Sequence, residues 1–141
     1  MSPDVWTVAP ETNQSGTSHS LTLQTPLRLR KVDARTYAVA GTPTDCVTLA
    51  INQIFSDEQR PDICCSGINH GANLGDDATY SGTVAAATEG YLFGIPAIAF
   101  SQVDRDWTHL DAAAKIARDI VLRRFDTLHK PYLLNVNIPN R

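Results

Sequence analysis

The amino-acid sequence predicts an α/β fold: a three-layer, Rossmann-like arrangement with a mostly parallel sheet, helices on both faces and one short antiparallel hairpin. Two observations support this prediction. From residue 42 onward, segments with helical period alternate with short apolar runs, and that order calls for a parallel sheet with right-handed crossovers. Before residue 42, apolar and polar residues alternate, as they do in half-buried antiparallel strands. We expect one domain over residues 1–141.

The N-terminal third predicts a strand and a hairpin. The apolar strand Val5–Ala9 stops at Pro10 and leads into a polar, turn-rich loop. After a turn at Asp33–Arg35, residues Tyr37–Ala40 return as another strand. Alternating leucines indicate the half-buried strands before that turn, and these are Leu21, Leu23, Leu27 and Leu29.

The remaining residues predict three helices and three buried-type strands. The first helix begins at a hydroxyl N-cap, Thr42, with Pro43 at the first helical position and Asp45 in the first turn, which is a typical helix start. It continues to Phe55. The later elements are a strand at Asp62–Ser66, a helix from the cap Ser81 to Leu92 that ends at Gly94, a strand at Ile95–Ser101, a helix from about His109 to Phe125 and a strand at Tyr132–Ile138.

Composition limits the classes of function. The net charge of −3 argues against binding to a nucleic-acid polymer, and no apolar run is long enough to span a membrane. Met1–Asp4 lacks the basic and apolar regions of a secretion signal. The three cysteines show no paired metal-binding spacing, so we expect reduced, mostly buried thiols in a cytoplasmic protein.

The glycine-rich segment Ser66–Thr83, which contains a predicted loop at Ser66–Tyr80, carries the candidate chemistry, because ligands of open α/β sheets bind beyond the carboxyl ends of the strands. Its glycines let backbone N–H groups approach a ligand, and Asn69 and Asn73 offer amide oxygens. Ser81-Gly82-Thr83 opens a helix, whose free N–H groups and dipole favour an anion. The segment suits a phosphate, with or without a hard metal ion.

Structural alternatives stand beside each of these interpretations. Glycine, asparagine and aspartate are turn residues, so the segment can be purely structural. Asp76-Asp77 is a candidate metal pair or a solvated loop, and His70 is a candidate phosphate contact or polar surface. His19, His109 and His129 have no spacing that indicates a site. The chain contains no Walker A, G-x-G-x-x-G or G-x-S-x-G motif, which argues against a P-loop NTPase, a dinucleotide enzyme and an α/β-hydrolase.

Several motifs, in the same order, resemble the SurE family of divalent-metal-dependent phosphatases that act on nucleoside 5′- and 3′-monophosphates. The resemblance extends over nearly the whole chain. The motifs that carry it are Asn13-Gln14-Ser15-Gly16, Gly41-Thr42-Pro43-Thr44-Asp45-Cys46, Ser66-Gly67-Ile68-Asn69, Asn73-Leu74-Gly75-Asp76 and Tyr80-Ser81-Gly82-Thr83.

The resemblance implies a site with Mg²⁺ or Mn²⁺ as cofactor and a nucleoside monophosphate as substrate. Ser15 and Asn69 match metal ligands of the family. Asn73 and the helix start Ser81-Gly82-Thr83 match its phosphate-binding residues. A homo-oligomer, dimer or tetramer, is also implied for the full-length family, with no nucleic-acid polymer or membrane as partner.

The resemblance also has a departure. The family's N-D-D-G loop, whose acidic pair holds the metal, should precede Val5, and a long C-terminal part should follow the last strand. We therefore expect a chain truncated at both ends and assign no catalytic residue, since Asp76-Asp77 belongs to a different loop. The alternative is a truncated, catalytically impaired protein that retains only phosphate or nucleotide binding. A third option is a nucleotide-binding regulatory module.

Overall fold

The computed structural model describes residues 4–104, 106, 108–124 and 130–140. Within them lie six strands and four α-helices, with a π-helical turn (Ala50–Ile54) that extends the first helix and a 3-10 turn (Asp57–Gln59). In chain order the elements are β1 (Thr7–Pro10), β2 (Leu29–Asp33), β3 (Thr36–Val39), α1 (Pro43–Leu49), β4 (Cys64–His70), α2 (Asp77–Tyr80), α3 (Gly82–Leu92), β5 (Ala97–Gln102), α4 (Leu110–Arg124) and β6 (Leu133–Ile138).

The strands form two three-stranded sheets. One has the order β1-β3-β2, in which β1 is parallel and β2 antiparallel to β3. The other has the order β4-β5-β6 and is entirely parallel. Helix α1 packs against both β1 and α3, so the helix layer connects the two sheets. The predicted parallel sheet and antiparallel hairpin are both confirmed.

The core is organised around β5, whose six residues are all buried. Successive side chains of a strand point to opposite faces. Ala97 and Ala99 pack with Ala87 of α3, whereas Ile98 and Phe100 pack with the alanines of α4. Helices therefore cover both faces of the parallel sheet, and the predicted three-layer α/β arrangement is confirmed.

The helix starts follow the sequence prediction closely. Thr42 caps α1 in a reciprocal capping box with Asp45, and Pro43 opens the helix. Ser81 caps α3 by accepting a hydrogen bond from the backbone N–H of Val84 at 3.2 Å. Gly94, which follows this helix, has φ +82°, the left-handed conformation that commonly ends helices. The predicted end of the last helix, Phe125, lies outside the described residues, as does His129.

The prediction of a strand over Leu21–Leu27 is wrong. Residues 21–28 have no strand structure, and Leu23 is 87% exposed. The backbone of this segment is bonded to the start of α1 instead: the Thr22 N–H donates to Asp45 Oδ1 at 2.9 Å, and Thr42 Oγ1 donates to the Ser20 carbonyl at 2.7 Å. These side-chain partners satisfy backbone groups that would otherwise need a strand ladder.

Strand β4 is longer than predicted. It continues through His70, so the first residues of the predicted loop Ser66–Tyr80 belong to a strand. Its pairing with β5 is interrupted between Ser66 and Asn69, as at a β-bulge. Four further residues of the predicted loop, Asp77–Tyr80, form α2.

The three cysteines are free thiols, as predicted, but they are not all buried. Cys46 is buried, Cys64 half-buried and Cys65 exposed. Burial raises the pKa of Cys46 to about 12, and the negative charge of Asp45 adds to this effect. Burial likewise raises the pKa of Cys64 to about 12. Both thiols are therefore protonated and unreactive at neutral pH.

The Asp45 carboxylate connects α1 to the segment before it. It is 1% exposed, and it accepts hydrogen bonds from the Thr22 N–H, the Thr22 hydroxyl at 2.6 Å and the Thr42 N–H at 2.8 Å. Burial raises the pKa of Asp45, but the hydrogen bonds from Thr22 and Thr42 outweigh burial and leave the pKa below its usual value. The charged form is therefore favoured by the fold.

Replacing Asp45 with asparagine is expected to lower the free energy of unfolding at pH 7 by about 2–3 kcal/mol, because charge-assisted hydrogen bonds to a buried acceptor are lost. Since the folded pKa lies below the unfolded one, the stabilisation by Asp45 is complete above the unfolded pKa and is lost as the pH falls through the folded pKa. Urea denaturation at pH 7 and at pH 3 should show the variant and the parent converging at the lower pH. Asp57→Asn, on an exposed residue, is the control, and an equal difference at both pH values would contradict the assignment.

Candidate functional site

A cavity of about 590 Å³ opens at the carboxyl ends of β1 and β4. Its walls come from the loop after β1, the end of β4, the loop after β4 and the start of α3, with single residues from α1, from α2 and from beyond β5. The lining residues are Pro10, Thr12, Asn13, Gln14, Ser15, Gly16, Pro43, Asn69, His70, Gly71, Ala72, Asn73, Asp77, Gly82, Thr83 and Val103. Five of the six residues predicted for the site therefore lie around one cavity; the sixth, Ser81, lies directly before the helix start.

The loop after β1 presents Ser15. Asn13 Oδ1 accepts hydrogen bonds from both the Ser15 N–H, at 2.9 Å, and the Ser15 hydroxyl, at 2.7 Å. This local ring is a typical Asx turn, and it holds the serine at the cavity wall. Because the hydroxyl hydrogen is used by Asn13, the lone pairs of Ser15 Oγ are available to a cation.

The bulge in β4 positions Asn69. Its amide nitrogen donates to the Gly71 carbonyl at 2.9 Å, and its amide oxygen accepts from Thr83 Oγ1 at 3.3 Å. Because the Asn69 amide nitrogen donates to the Gly71 carbonyl, the nitrogen and oxygen of this amide can be told apart. The oxygen points toward the start of α3. Asn69 thus presents a neutral amide oxygen beside the helix N-terminus.

The start of α3 forms the anion-favouring wall. Gly82 and Thr83 line the cavity, where the unpaired N–H groups of the first turn and the helix dipole favour negative charge. The Ser81 hydroxyl is occupied as the helix cap, since it accepts from Val84. A Cβ on Gly82 would lie 3.0 Å from Pro43 Cγ and 3.3 Å from Thr17 Oγ1, so this helix start is closely packed against α1 and the loop after β1.

Asn73 is 6% exposed and bonded on several sides. Its side-chain nitrogen donates to Ser101 Oγ at 2.8 Å. Its backbone N–H donates to Asn137 Oδ1 at 2.8 Å, and its carbonyl accepts from the side-chain nitrogens of Asn135, at 2.8 Å, and Asn137, at 3.2 Å. Sequence reasoning assigned no role to Asn135 or Asn137. The sequence did contain an indication of their role, because the last predicted strand is apolar except for these two amide side chains at alternate positions.

The donor chemistry fits a hard cation only in part. Hydroxyl and amide oxygens such as those of Ser15 and Asn69 suit Mg²⁺ or Mn²⁺. Asp77 and His70 also line the cavity, and Asp76 is exposed just before α2. Among the described residues, no group of three or more His, Cys, Asp and Glu is arranged to hold a metal.

His19, for which the sequence indicated no site, has a defined partner. Its Nε2 lies 2.6 Å from Glu89 Oε2, and Glu89 Oε1 accepts from Thr48 Oγ1 at 3.2 Å. Glu89 is buried on α3. The contact joins the loop that carries Ser15 to the helix whose start lines the cavity, and its two partners are 70 residues apart in the chain.

Comparisons with known proteins agree with this architecture. The family model described as Survival protein SurE matches residues 1–141. Among solved structures, the SurE protein from Aquifex aeolicus is 48% identical and superposes with a TM-score of 0.85; the match covers 95% of this chain and 54% of that one. The chain thus spans about half the length of that relative.

No helix in the described part of the chain is long and apolar enough to cross a membrane.

Proposed function

Because this chain belongs to the SurE family, and membership implies a metal-dependent nucleotidase or phosphatase, we propose that it hydrolyses the phosphate monoester of nucleoside monophosphates with Mg²⁺ or Mn²⁺ as cofactor. One observation supports this most directly: Ser15, Asn69 and the start of α3 line the same cavity. Oxygen ligands for a cation and an N-terminal helix dipole for a phosphate are therefore adjacent.

The chain's own residues bind and orient the substrate in this proposal. Ser15 Oγ and Asn69 Oδ1 would hold the cation, and a cation bound there would polarise a phosphoryl oxygen. The N–H groups at Gly82 and Thr83 donate to the remaining phosphoryl oxygens and stabilise charge that develops there. The cavity of about 590 Å³ is within the usual range for small-molecule sites. Asn73 and Ser81 support the part of the cavity wall that binds the phosphate in this proposal.

The test is phosphate release from nucleoside monophosphates by the full chain, with Mn²⁺, with Mg²⁺ and with EDTA. We expect metal-dependent release that EDTA abolishes. Thr83→Ala should lower kcat/KM by about tenfold, because it removes the hydroxyl that donates to Asn69 Oδ1 and orients that oxygen at the cavity, while the backbone N–H is kept. Thr88→Ala is the matched control, because Thr88 lies on the same helix and its hydroxyl bonds to the Val84 carbonyl.

Three results would contradict parts of this proposal. Release that EDTA does not affect would exclude the metal, and equal effects of the two threonine variants would exclude the proposed role of Thr83. Phosphate binding without release, with release recovered only in a form extended upstream of Met1, would favour the alternative that this chain alone retains only phosphate or nucleotide binding. Calorimetric titration with inorganic phosphate measures that binding.

We further propose a cytoplasmic location, since three free thiols are typical of a reducing compartment. The dimer or tetramer implied by the family resemblance stays a prediction, which light scattering after size-exclusion chromatography tests directly.

A further inference from the structure

Two asparagines of β6 lie on the face of the sheet opposite α4. Leu134, Val136 and Ile138 pack with the apolar cluster that contains α4. Side chains alternate along a strand, so Asn135 and Asn137 point to the other face. In register they are opposite Ala99 and Ser101 of β5, respectively.

On that face the two asparagines are bonded to a residue far away in the chain. Asn137 accepts from the Asn73 N–H, and both asparagines donate to the Asn73 carbonyl. The separations along the chain are 64 and 62 residues. Ser101, opposite Asn137, accepts from the Asn73 side chain. Both backbone groups and the side chain of Asn73 are thus held by the last two strands of the sheet.

This arrangement is unusual for a loop, whose backbone groups normally bond to water at the surface. Asn73 is 6% exposed, so its N–H and carbonyl need partners within the protein. It also lines the cavity together with Gly71 and Ala72. The Gly71 N–H donates to the Gln102 carbonyl at 3.0 Å, and β5 therefore holds the other end of the same short wall.

We propose that Asn135 and Asn137 are positioning residues that fix the Asn73 peptide, and with it the cavity wall between Gly71 and Asn73, in the geometry that binds phosphate. The inference rests on the proposed function. Neither asparagine lines the cavity among the described residues; each acts through Asn73. A pre-formed wall avoids the cost of ordering a loop when the ligand binds.

The experiment compares Asn137→Ala and Asn135→Ala with the parent protein in the full chain. Amide hydrogen exchange by NMR, without metal or ligand, should be about tenfold faster at Asn73 in Asn137→Ala, as expected for the loss of a hydrogen bond. Asn135→Ala, which removes one of two donors to the Asn73 carbonyl, should have a smaller effect. Exchange at Ala99 should not change, because the sheet stays intact.

Titration with inorganic phosphate in the presence of Mn²⁺ measures the consequence for binding. We expect the Kd of Asn137→Ala to rise about tenfold, with KM for a nucleoside monophosphate rising in parallel and kcat changing less. Leu133→Ala is the matched control, since Leu133 lies on the same face of the same strand and has no hydrogen bond to Asn73. It should alter neither exchange at Asn73 nor phosphate affinity.

Unchanged exchange at Asn73 in Asn137→Ala would overturn the inference, and so would faster exchange with unchanged phosphate affinity. In both cases the proposed function would still be supported if the parent protein bound phosphate and hydrolysed nucleoside monophosphates. If the parent itself neither bound phosphate nor released it from nucleoside monophosphates, the proposed function would fail and this inference with it, whatever the exchange rate at Asn73.

Discussion

Replacing Gly67 with alanine is expected to lower the free energy of unfolding by about 3–5 kcal/mol. Gly67 has φ +110°, a backbone conformation that residues with a side chain rarely adopt. A Cβ there would lie 2.2 Å from the Phe100 carbonyl oxygen and 3.1 Å from the Asn69 nitrogen. Both neighbours are backbone atoms, and Phe100 belongs to the buried central strand β5, so neither can move away cheaply.

Gly75→Ala is the matched control for this prediction. Gly75 also has positive φ, +55°, but no neighbouring atom lies within 4 Å of the position that a methyl group would take there. Its replacement should cost only about 1 kcal/mol, the conformational penalty alone. Urea denaturation of both variants separates the two effects, and equal losses would show that the close approach to Phe100 is unimportant.

Gly67 also shows why the sequence predicted only the first part of β4. Ser66-Gly67-Ile68-Asn69 has the composition of a turn, and local rules assign such a segment to a loop. The glycine is required instead by a neighbouring strand whose carbonyl leaves no room for a side chain. That strand lies more than thirty residues later, at Phe100. A local pattern contains no information about such a contact.

The helix starts were predictable for the opposite reason. The caps of α1 and α3 depend on residues three positions apart, so the signal is entirely local. Residues of the same types as these caps also bond to segments that are distant in the chain. The periodicity of the sequence does not predict such contacts. Asp45, predicted as a first-turn acid, also binds Thr22, and this contact explains why Leu21 and Leu23, on either side of Thr22, do not lie in a strand.

For the site, sequence reasoning named the residues but only some of their roles in the fold. Ser15 and Asn69 lie around one cavity with Gly82 and Thr83, as the order of strands in an open sheet leads one to expect. Ser81 is the helix cap that the sequence predicted, whereas no pattern in the sequence indicated that Asn73 is bonded to β5 and β6. These contacts depend on the register of the last strand, which composition does not specify.

Replacing Asn69 with alanine is expected to weaken Mn²⁺ binding by about 100-fold, because losing a proposed ligand should cost at least as much as losing a contact that only supports a ligand. It should also lower kcat/KM at limiting metal in proportion. The physical reason is that Asn69 Oδ1 is the oxygen that β4 presents beside the start of α3. Stability should fall by only about 1 kcal/mol, because the side chain is half-buried and its lost partners are the Gly71 carbonyl and the Thr83 hydroxyl.

Asn69→Asp separates metal binding from phosphate binding at this position. Aspartate keeps an oxygen and adds a negative charge, so Mn²⁺ affinity should be retained or increased, whereas inorganic phosphate alone should bind more weakly through repulsion. Asn52→Ala, on an exposed amide that bonds to the Thr48 carbonyl, is the control and should change neither affinity. Calorimetric titrations with each ion measure both quantities. If Asn69→Asp weakened Mn²⁺ binding as much as Asn69→Ala does, the side chain would not be a metal ligand, and its contact with Thr83 would be its main contribution to the cavity.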